Sequence, residues 1–114
     1  MPLIKIDIRK NAYSVAEKNI LSDAIFKAII DAWQIPKEEF NLRISEFNQE
    51  DYRIPPKCSE RYMIIEITVL QGRLEESKKL MLDSVYNSLV NVGIKPLDIL
   101  ILLNEIPKQN LVVL

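Results

Sequence analysis

The sequence predicts an α+β fold built as a tandem β-α-β repeat, with a four-stranded mixed sheet carrying two helices on one face. Three observations lead there. Residues 3–8 alternate in the manner of a half-buried strand, and residues 40–45 do so again after an apolar stripe at helical spacing. Sliding the sequence by 60 positions lays the second half on the first without gaps, matching Lys18 with Lys78, Ile25 with Val85, Pro36 with Pro96 and Leu42 with Leu102. A right-handed crossover makes the two strands of each half parallel, and two such units side by side place both helices on the same face.

The first repeat spans about residues 2–47. After strand 3–8, Ser14-Val15-Ala16-Glu17 has the spacing of a capping box, in which the serine caps and the glutamate reaches back. Ile20, Leu21, Ala24, Ile25, Ala28 and Ile29 form one helical stripe, and Pro36 stops the helix because a residue before proline is pushed out of the α region. Phe40, Leu42 and Ile44, alternating with Asn41, Arg43 and Ser45, read as the second strand. Residues 48–61 are polar, contain a Pro-Pro step and form the connecting loop. The second repeat, about 62–107, opens with a β-branched apolar strand over 62–70 that has Glu66 at its middle. A helix from about Leu74 carries Leu80, Met81, Val85, Leu89 and Val92 on one side, with Gly93 as its C-terminal cap. After Pro96, residues 99–103 read as a buried strand of five apolar residues. The chain is thus expected to be one domain over 1–114. Its helix-free sheet face offers Ile64, Leu70 and one side of the last strand, so an oligomer that buries this face is expected.

Composition narrows the chemistry. A chain of 114 residues buries roughly two-thirds of its unfolded surface, and 48% apolar with 27% charged residues is ordinary for a globular protein. A net charge of −1 gives no electrostatic case for nucleic acid or an anionic membrane as partner. No apolar run reaches 18 residues, and Lys5, Asp7 and Arg9 interrupt the stretch where a signal peptide would sit; the expected location is cytoplasmic. The lack of histidine removes Ser-His-Asp and Cys-His catalysis and histidine metal ligation. The single cysteine, Cys58, excludes an intrachain disulfide and any multi-cysteine metal site. Neither a metal nor an organic cofactor is expected.

With histidine absent, few groups transfer protons near neutral pH. Removal of Met1 would leave Pro2 as a secondary amine at the start of a strand. An α-amino group titrates near about 8, and nearby arginines or desolvation would favour its neutral, basic form. Its simpler role is to begin a strand with no donor to waste. Gln71-Gly72-Arg73 lies between a strand and a helix, where glycine allows close backbone approach and Arg73 could clamp a carboxylate through two parallel hydrogen bonds; otherwise Arg73 is a solvated surface charge. Arg43 sits on the polar side of its strand and would either bind substrate or form an intersubunit salt bridge. Glu66, in a central strand, reads as structural and needs a partner. Trp33 reads as a packing residue at a helix end, while Tyr52, Cys58 and Tyr62 carry no specific signal.

The initial Met-Pro-Leu-Ile, the doubled strand–helix–strand and the Gly72-Arg73 turn occur together with Arg43-Ile44-Ser45-Glu46-Phe47. Ser59-Glu60-Arg61-Tyr62 leads into Ile65-Glu66-Ile67-Thr68, and Leu103-Asn104-Glu105 is followed by Pro107. In this order the stretches resemble the tautomerase superfamily, in particular its full-length bacterial branch related to malonate semialdehyde decarboxylase. The resemblance runs from Met1 to about Asn110. It implies a tautomerase-like fold and homotrimers with active sites between subunits. It also implies Pro2 as catalytic residue, a general base in keto–enol tautomerases or, when cationic, an acid in hydratase-like members. Arg73 matches the arginine that holds the substrate carboxylate.

The sequence also departs from these relatives. Gln71 stands where the decarboxylase has a second arginine, Asn11-Ala12 where several relatives have Gly-Arg, and Leu111 where many have tryptophan. A longer Gly-rich tail is not found before Leu114, so that part of the pocket is expected to be missing or rebuilt. The acidic residue after the helix-ending proline corresponds to Glu38 or Glu39. The leading expectation is an isomerase that moves a proton between oxygen and carbon of a small 2-oxo acid or its enol, with Pro2 shuttling the proton and Arg73, together with Arg43 from the same or a neighbouring subunit, holding the carboxylate. Two further readings are a catalytically inactive tautomerase-fold binding or structural protein, and a ferredoxin-like small-molecule regulatory module.

Overall fold

The structure, a computed structural model, describes residues 1–113. Its elements are β1 (Leu3–Arg9), α1 (Val15–Trp33), β2 (Asn41–Phe47), β3 (Met63–Leu70), α2 (Glu75–Asn91) and β4 (Ile99–Ile106). The sheet order is β2-β1-β3-β4. β1 pairs parallel with β2, β3 pairs parallel with β4, and the two halves join through the antiparallel β1/β3 pair. Because β1 and β2 are direct neighbours, no strand is inserted into either β-α-β unit. This differs from the split arrangement of a ferredoxin-like module, and that reading is set aside.

Strand alternation builds the core. Ile4, Ile6 and Ile8 of β1 and Met63, Ile65 and Ile67 of β3 are fully buried on the helix side, where Leu21, Ile25, Ala28 and Ile29 of α1 and Met81, Val85 and Leu89 of α2 cover them. The helix stripes are narrower than expected. Ile20 and Leu80 stand one residue outside them and are 51% and 58% exposed, because adjacent helical residues point about 100° apart. Val92 is exposed as well.

The internal repeat holds, with a correction. An offset of 60 pairs buried Leu21 with Met81, Ile25 with Val85 and Ile29 with Leu89. In the strands it fails by one residue, since it would equate core Ile4 with Ile64 on the other face. By facing, Ile4 and Ile6 correspond to Ile65 and Ile67, an offset of 61, whereas Leu42 and Ile44 correspond to Ile101 and Leu103, an offset of 59. A one-residue slip turns a strand over, so only these offsets keep apolar residues inward. The repeat even reproduces an ion pair: Lys18 Nζ lies 3.0 Å from Glu46 Oε1, and Lys78 Nζ lies 2.9 Å from Glu105 Oε1.

Helix ends follow the local sequence. Both bonds of the Ser14–Glu17 capping box are present, at 3.1 and 2.9 Å. α1 ends on Gln34 in the left-handed conformation, two residues before Pro36. Gly93 (φ +100°) follows α2, with its N–H donating to Val90 O at 3.0 Å and that of Ile94 to Leu89 O at 3.1 Å, the two bonds of a Schellman motif. Two strands run longer than the alternation indicated: β2 reaches Phe47 and β4 reaches Ile106. β4 is also less buried than five consecutive apolar residues suggested, because it is an edge strand; Leu100 is 42% exposed.

The helix-free face is mixed, with one apolar patch on the β3–β4 half. Across it runs the row Arg43–Lys5–Glu66–Leu102, one residue from each strand in sheet order. Leu100, Leu102 and Ile64 form an apolar patch at one end of the β3–β4 half, beside Glu66, Thr68 and Asn104, while Lys5, Asp7, Arg9 and Arg43 charge the β1–β2 half. Lys5 Nζ stands 3.8 Å from Asp7 Oδ1, an oxygen that is buried without a hydrogen bond.

Candidate functional site

The antiparallel β1/β3 joint decides what meets at each end of the sheet. At one end β1 and β2 begin while β3 and β4 finish. Pro2 lies here, just outside the Leu3–Thr68 pair, with its carbonyl accepting the N–H of Asn41 at 3.3 Å. Pro2 is in step with Ile4 and Ile6 and is fully buried. The α-amino group of Met1 lies 3.9 Å from Glu39 Oε2, so of the two acidic residues after Pro36 it is Glu39 that faces the chain start. Glu38, its neighbour in the short 3-10 turn Lys37–Glu39, is exposed.

The strand β3 delivers the other half of this end. Gln71 N–H donates to Ile106 O at 3.0 Å, which ties the exit of β3 to the exit of β4. Gly72 then turns the chain with φ +121°; nothing lies within 4 Å of a Cβ built there, so backbone conformation rather than space calls for glycine. Arg73 follows, exposed, with its guanidinium 3.8 Å from the centroid of the Trp33 ring. Trp33, the last residue of α1, donates its indole N–H to Ser77 O at 3.0 Å in the first turn of α2. Its role is therefore more than the helix-end packing read from the sequence.

The expected site residues are brought together in part. Pro2 and Arg73 share one end of the sheet. Arg43 does not join them in the single chain: it lies on the helix-free face, opposite Lys5, and is exposed. None of five surface clefts of the chain is lined by Pro2, Arg43 or Arg73. A cleft of about 520 Å³ lies instead at the far end of the sheet, among Arg9, Lys10, Asn11, Ala12, Asn48, Gln49, Glu50 and Glu60. The repeat gives that end no second copy of the site, for Met63 takes the place of Pro2 and Tyr13 the place of Arg73.

At that far end the connecting loop is locked by long-range contacts the sequence did not indicate. The buried Tyr52 hydroxyl points at two carbonyls, Asp7 O at 2.9 Å and Tyr62 O at 3.0 Å, and its ring stacks on Phe47. Arg61 donates to Glu17 Oε2 at 2.8 Å and to Ala12 O at 3.3 Å, and lies 4.2 Å from the centroid of the Tyr13 ring. Burial pushes the Tyr13 phenol up to about 12, against the opposing pull of Arg61. The Glu17 carboxyl is held below its usual range, first by the Ser14 N–H and then by Arg61. Ser59 binds Asp98, the one charged residue buried among the described residues.

Among the described residues, no helix is long and apolar enough to cross a membrane, and no group of three or more cysteine, histidine or acidic side chains is arranged to hold a metal ion.

Two parallel β-α-β units joined back to back, with both helices on one face, are the architecture of the tautomerases. Residues 39–111 match the family described as tautomerase enzyme, and the chain belongs to that family. Among solved structures it is similar to malonate semialdehyde decarboxylase, at 21% identity, 96% of this chain, 88% of that chain and a TM-score of 0.82. A fused 4-OT that forms an asymmetric trimer matches at 15% identity, 97% and 91% coverage and a TM-score of 0.84. A member of the cis-3-chloroacrylic acid dehalogenase family matches at 14% identity, 96% and 78% coverage and a TM-score of 0.83. At these identities the likeness is one of fold.

Proposed function

We propose that this protein is a cofactor-independent, cytoplasmic keto–enol tautomerase of a small 2-oxo acid, with Pro2 as general base. The observation that supports the reading is that the sheet register puts Pro2 and the Gly72–Arg73 turn at the same end of the sheet, with Arg73 exposed and lying over Trp33. While Met1 is attached the Pro2 nitrogen is an amide and cannot act; removal of Met1 makes it a secondary amine. Burial such as that of Pro2 disfavours a charged amine, which is the condition a general base needs. In ketonisation the Pro2 nitrogen takes the enol hydroxyl proton as the C=O bond forms and returns a proton to carbon, leaving the amine neutral again. Arg73 holds the carboxylate through two parallel N–H bonds and fixes the reacting carbon near the amine.

Arg43 enters this reading from a neighbouring protomer of a homotrimer. The trimeric state of the fused 4-OT supports such an assembly, as does the apolar patch of Ile64, Leu100 and Leu102 on the open face, which a second copy would cover. A second reading, a binding or structural protein without turnover, is favoured by one feature: the Pro2 side chain is fully buried within the single chain.

The test is ketonisation of enol phenylpyruvate by protein shown by mass to lack Met1. A saturable rate is expected, reduced about 10–100-fold in Pro2→Ala, which keeps a primary amine in a similar place. Full activity in Pro2→Ala would sink the mechanism, and no rate above buffer would favour the second reading.

A further inference from the structure

We infer that Trp33 is a positioning residue that pre-sets the Arg73 guanidinium for edge-on capture of a planar carboxylate, an inference that rests on the reading of Arg73 as the carboxylate-binding residue. Arg73 stands on an exposed turn after Gly72, where an unsupported arginine would sample many rotamers. It lies instead 3.8 Å from the centroid of the Trp33 ring. The platform is rigid: Trp33 is only 8% exposed, closes α1, and is pinned to α2 by its indole N–H on Ser77 O at 3.0 Å. Stacking occupies the flat face of a guanidinium and leaves its five donors, which lie in the plane, directed outward. For Arg73 this stacking is the one polar contact among the described residues, so the donor edge is open.

Arg61 provides the internal contrast. It too lies over an aromatic ring, that of Tyr13 at 4.2 Å, but its donors are engaged by Glu17 Oε2 and Ala12 O. The same stacking device thus makes a closed lock at one end of the sheet and an open clamp at the other. Because the ring holds the guanidinium before the ligand arrives, less side-chain freedom is lost on binding. The benefit falls on ground and transition states alike, since the carboxylate is held in both, so it belongs in KM and not in kcat.

Trp33 is the only tryptophan of the chain, so its fluorescence reports the contact directly. In Met1-free protein, Arg73→Ala is expected to shift Trp33 emission to the red without ligand, and oxalate is expected to change the emission saturably in the wild type but not in Arg73→Ala. By calorimetry Trp33→Leu should weaken oxalate binding about tenfold and Trp33→Phe should restore most of it. With enol phenylpyruvate, Trp33→Leu should raise KM by a similar factor with kcat within about twofold. In an Arg73→Ala background, Trp33→Leu should add less than about twofold, because its effect acts through the arginine. Unchanged emission in Arg73→Ala, or equal losses from Trp33→Leu with and without Arg73, would overturn the positioning role while leaving the tautomerase reading in place. Wild-type protein that binds no oxalate although Arg73→Ala shifts the emission would overturn both, since Arg73 would then hold no carboxylate to be positioned for.

Discussion

Asp98 accepts two hydrogen bonds from Ser59, one from the backbone N–H at 2.7 Å and one from the hydroxyl at 2.5 Å. The pair joins the long loop to the start of β4, 39 residues away, and Asp98 is only 2% exposed. A buried carboxylate is tolerated because these donors replace water.

Removing either partner should therefore be costly. Asp98→Ala is expected to lose about 2–4 kcal/mol by stranding the Ser59 donors, and Ser59→Ala about 1–2 kcal/mol. Urea unfolding checks this through a lower midpoint at unchanged slope. A wild-type midpoint in Asp98→Ala would show that other contacts hold the loop.

The two tyrosines of the lock predict an alkaline limit. Burial raises the Tyr13 phenol to about 12 and the Tyr52 phenol further, whereas in the unfolded chain both titrate near 10. The folded state therefore binds these protons more tightly. Their contribution to stability is complete below about pH 10 and is lost as pH rises through 12. Thermal midpoints measured from about pH 9 to 11.5 should fall steeply in the wild type and less steeply in Tyr52→Phe. Parallel curves for the two proteins would exclude Tyr52 as the titrating group.

Gly93 ends α2 with φ +100°, and beyond its chain neighbours no heavy atom lies within 4 Å of the position a Cβ would take. The cost of a side chain there is conformational only. Gly93→Ala is expected to lose about 1 kcal/mol, Gly93→Asn less, and neither should move KM. A loss of several kcal/mol would mean that the Schellman turn rearranges rather than strains.

Arg73→Lys keeps the charge but gives up the planar fork and most of the stacking. Under the proposed function its KM should rise about tenfold, and Arg73→Ala should lower kcat/KM by about 100-fold. Steady-state kinetics on Met1-free protein decides this; an Arg73→Lys enzyme with wild-type KM would reduce Arg73 to a point charge.

What the sequence made legible was local or periodic. The alternation of β1, the Ser14–Glu17 box and Gly93 each declare themselves within a few residues, and the helix stripes repeat at a fixed offset. Strand facing was harder, because the one-residue slips fall in turns whose length leaves no hydrophobic signature. Ile20 and Leu80 misled for a related reason: they are apolar at repeat-equivalent positions yet lie outside the buried stripe. The contacts of Tyr52, Ser59 and Arg61 with Asp7, Asp98 and Glu17 span 39 to 45 residues, and that of Trp33 with Arg73 also reaches across the chain. No pattern in a polar loop announces such partners. For the candidate site, Pro2 and Arg73 were legible as residue types at element ends; Arg43 was legible only as lying on the polar face, where the single chain leaves it apart from them.

The Lys5–Glu66 pair sits at the centre of the β1/β3 joint, and by the offset of 61 that relates these strands the two residues are each other's counterparts. Each therefore faces its own equivalent across an approximate twofold axis. Two identical half-chains assembled around that axis would set lysine against lysine or glutamate against glutamate. Joining unlike halves in one chain removes this self-repulsion: the first half is complementary to the second and mismatched to itself.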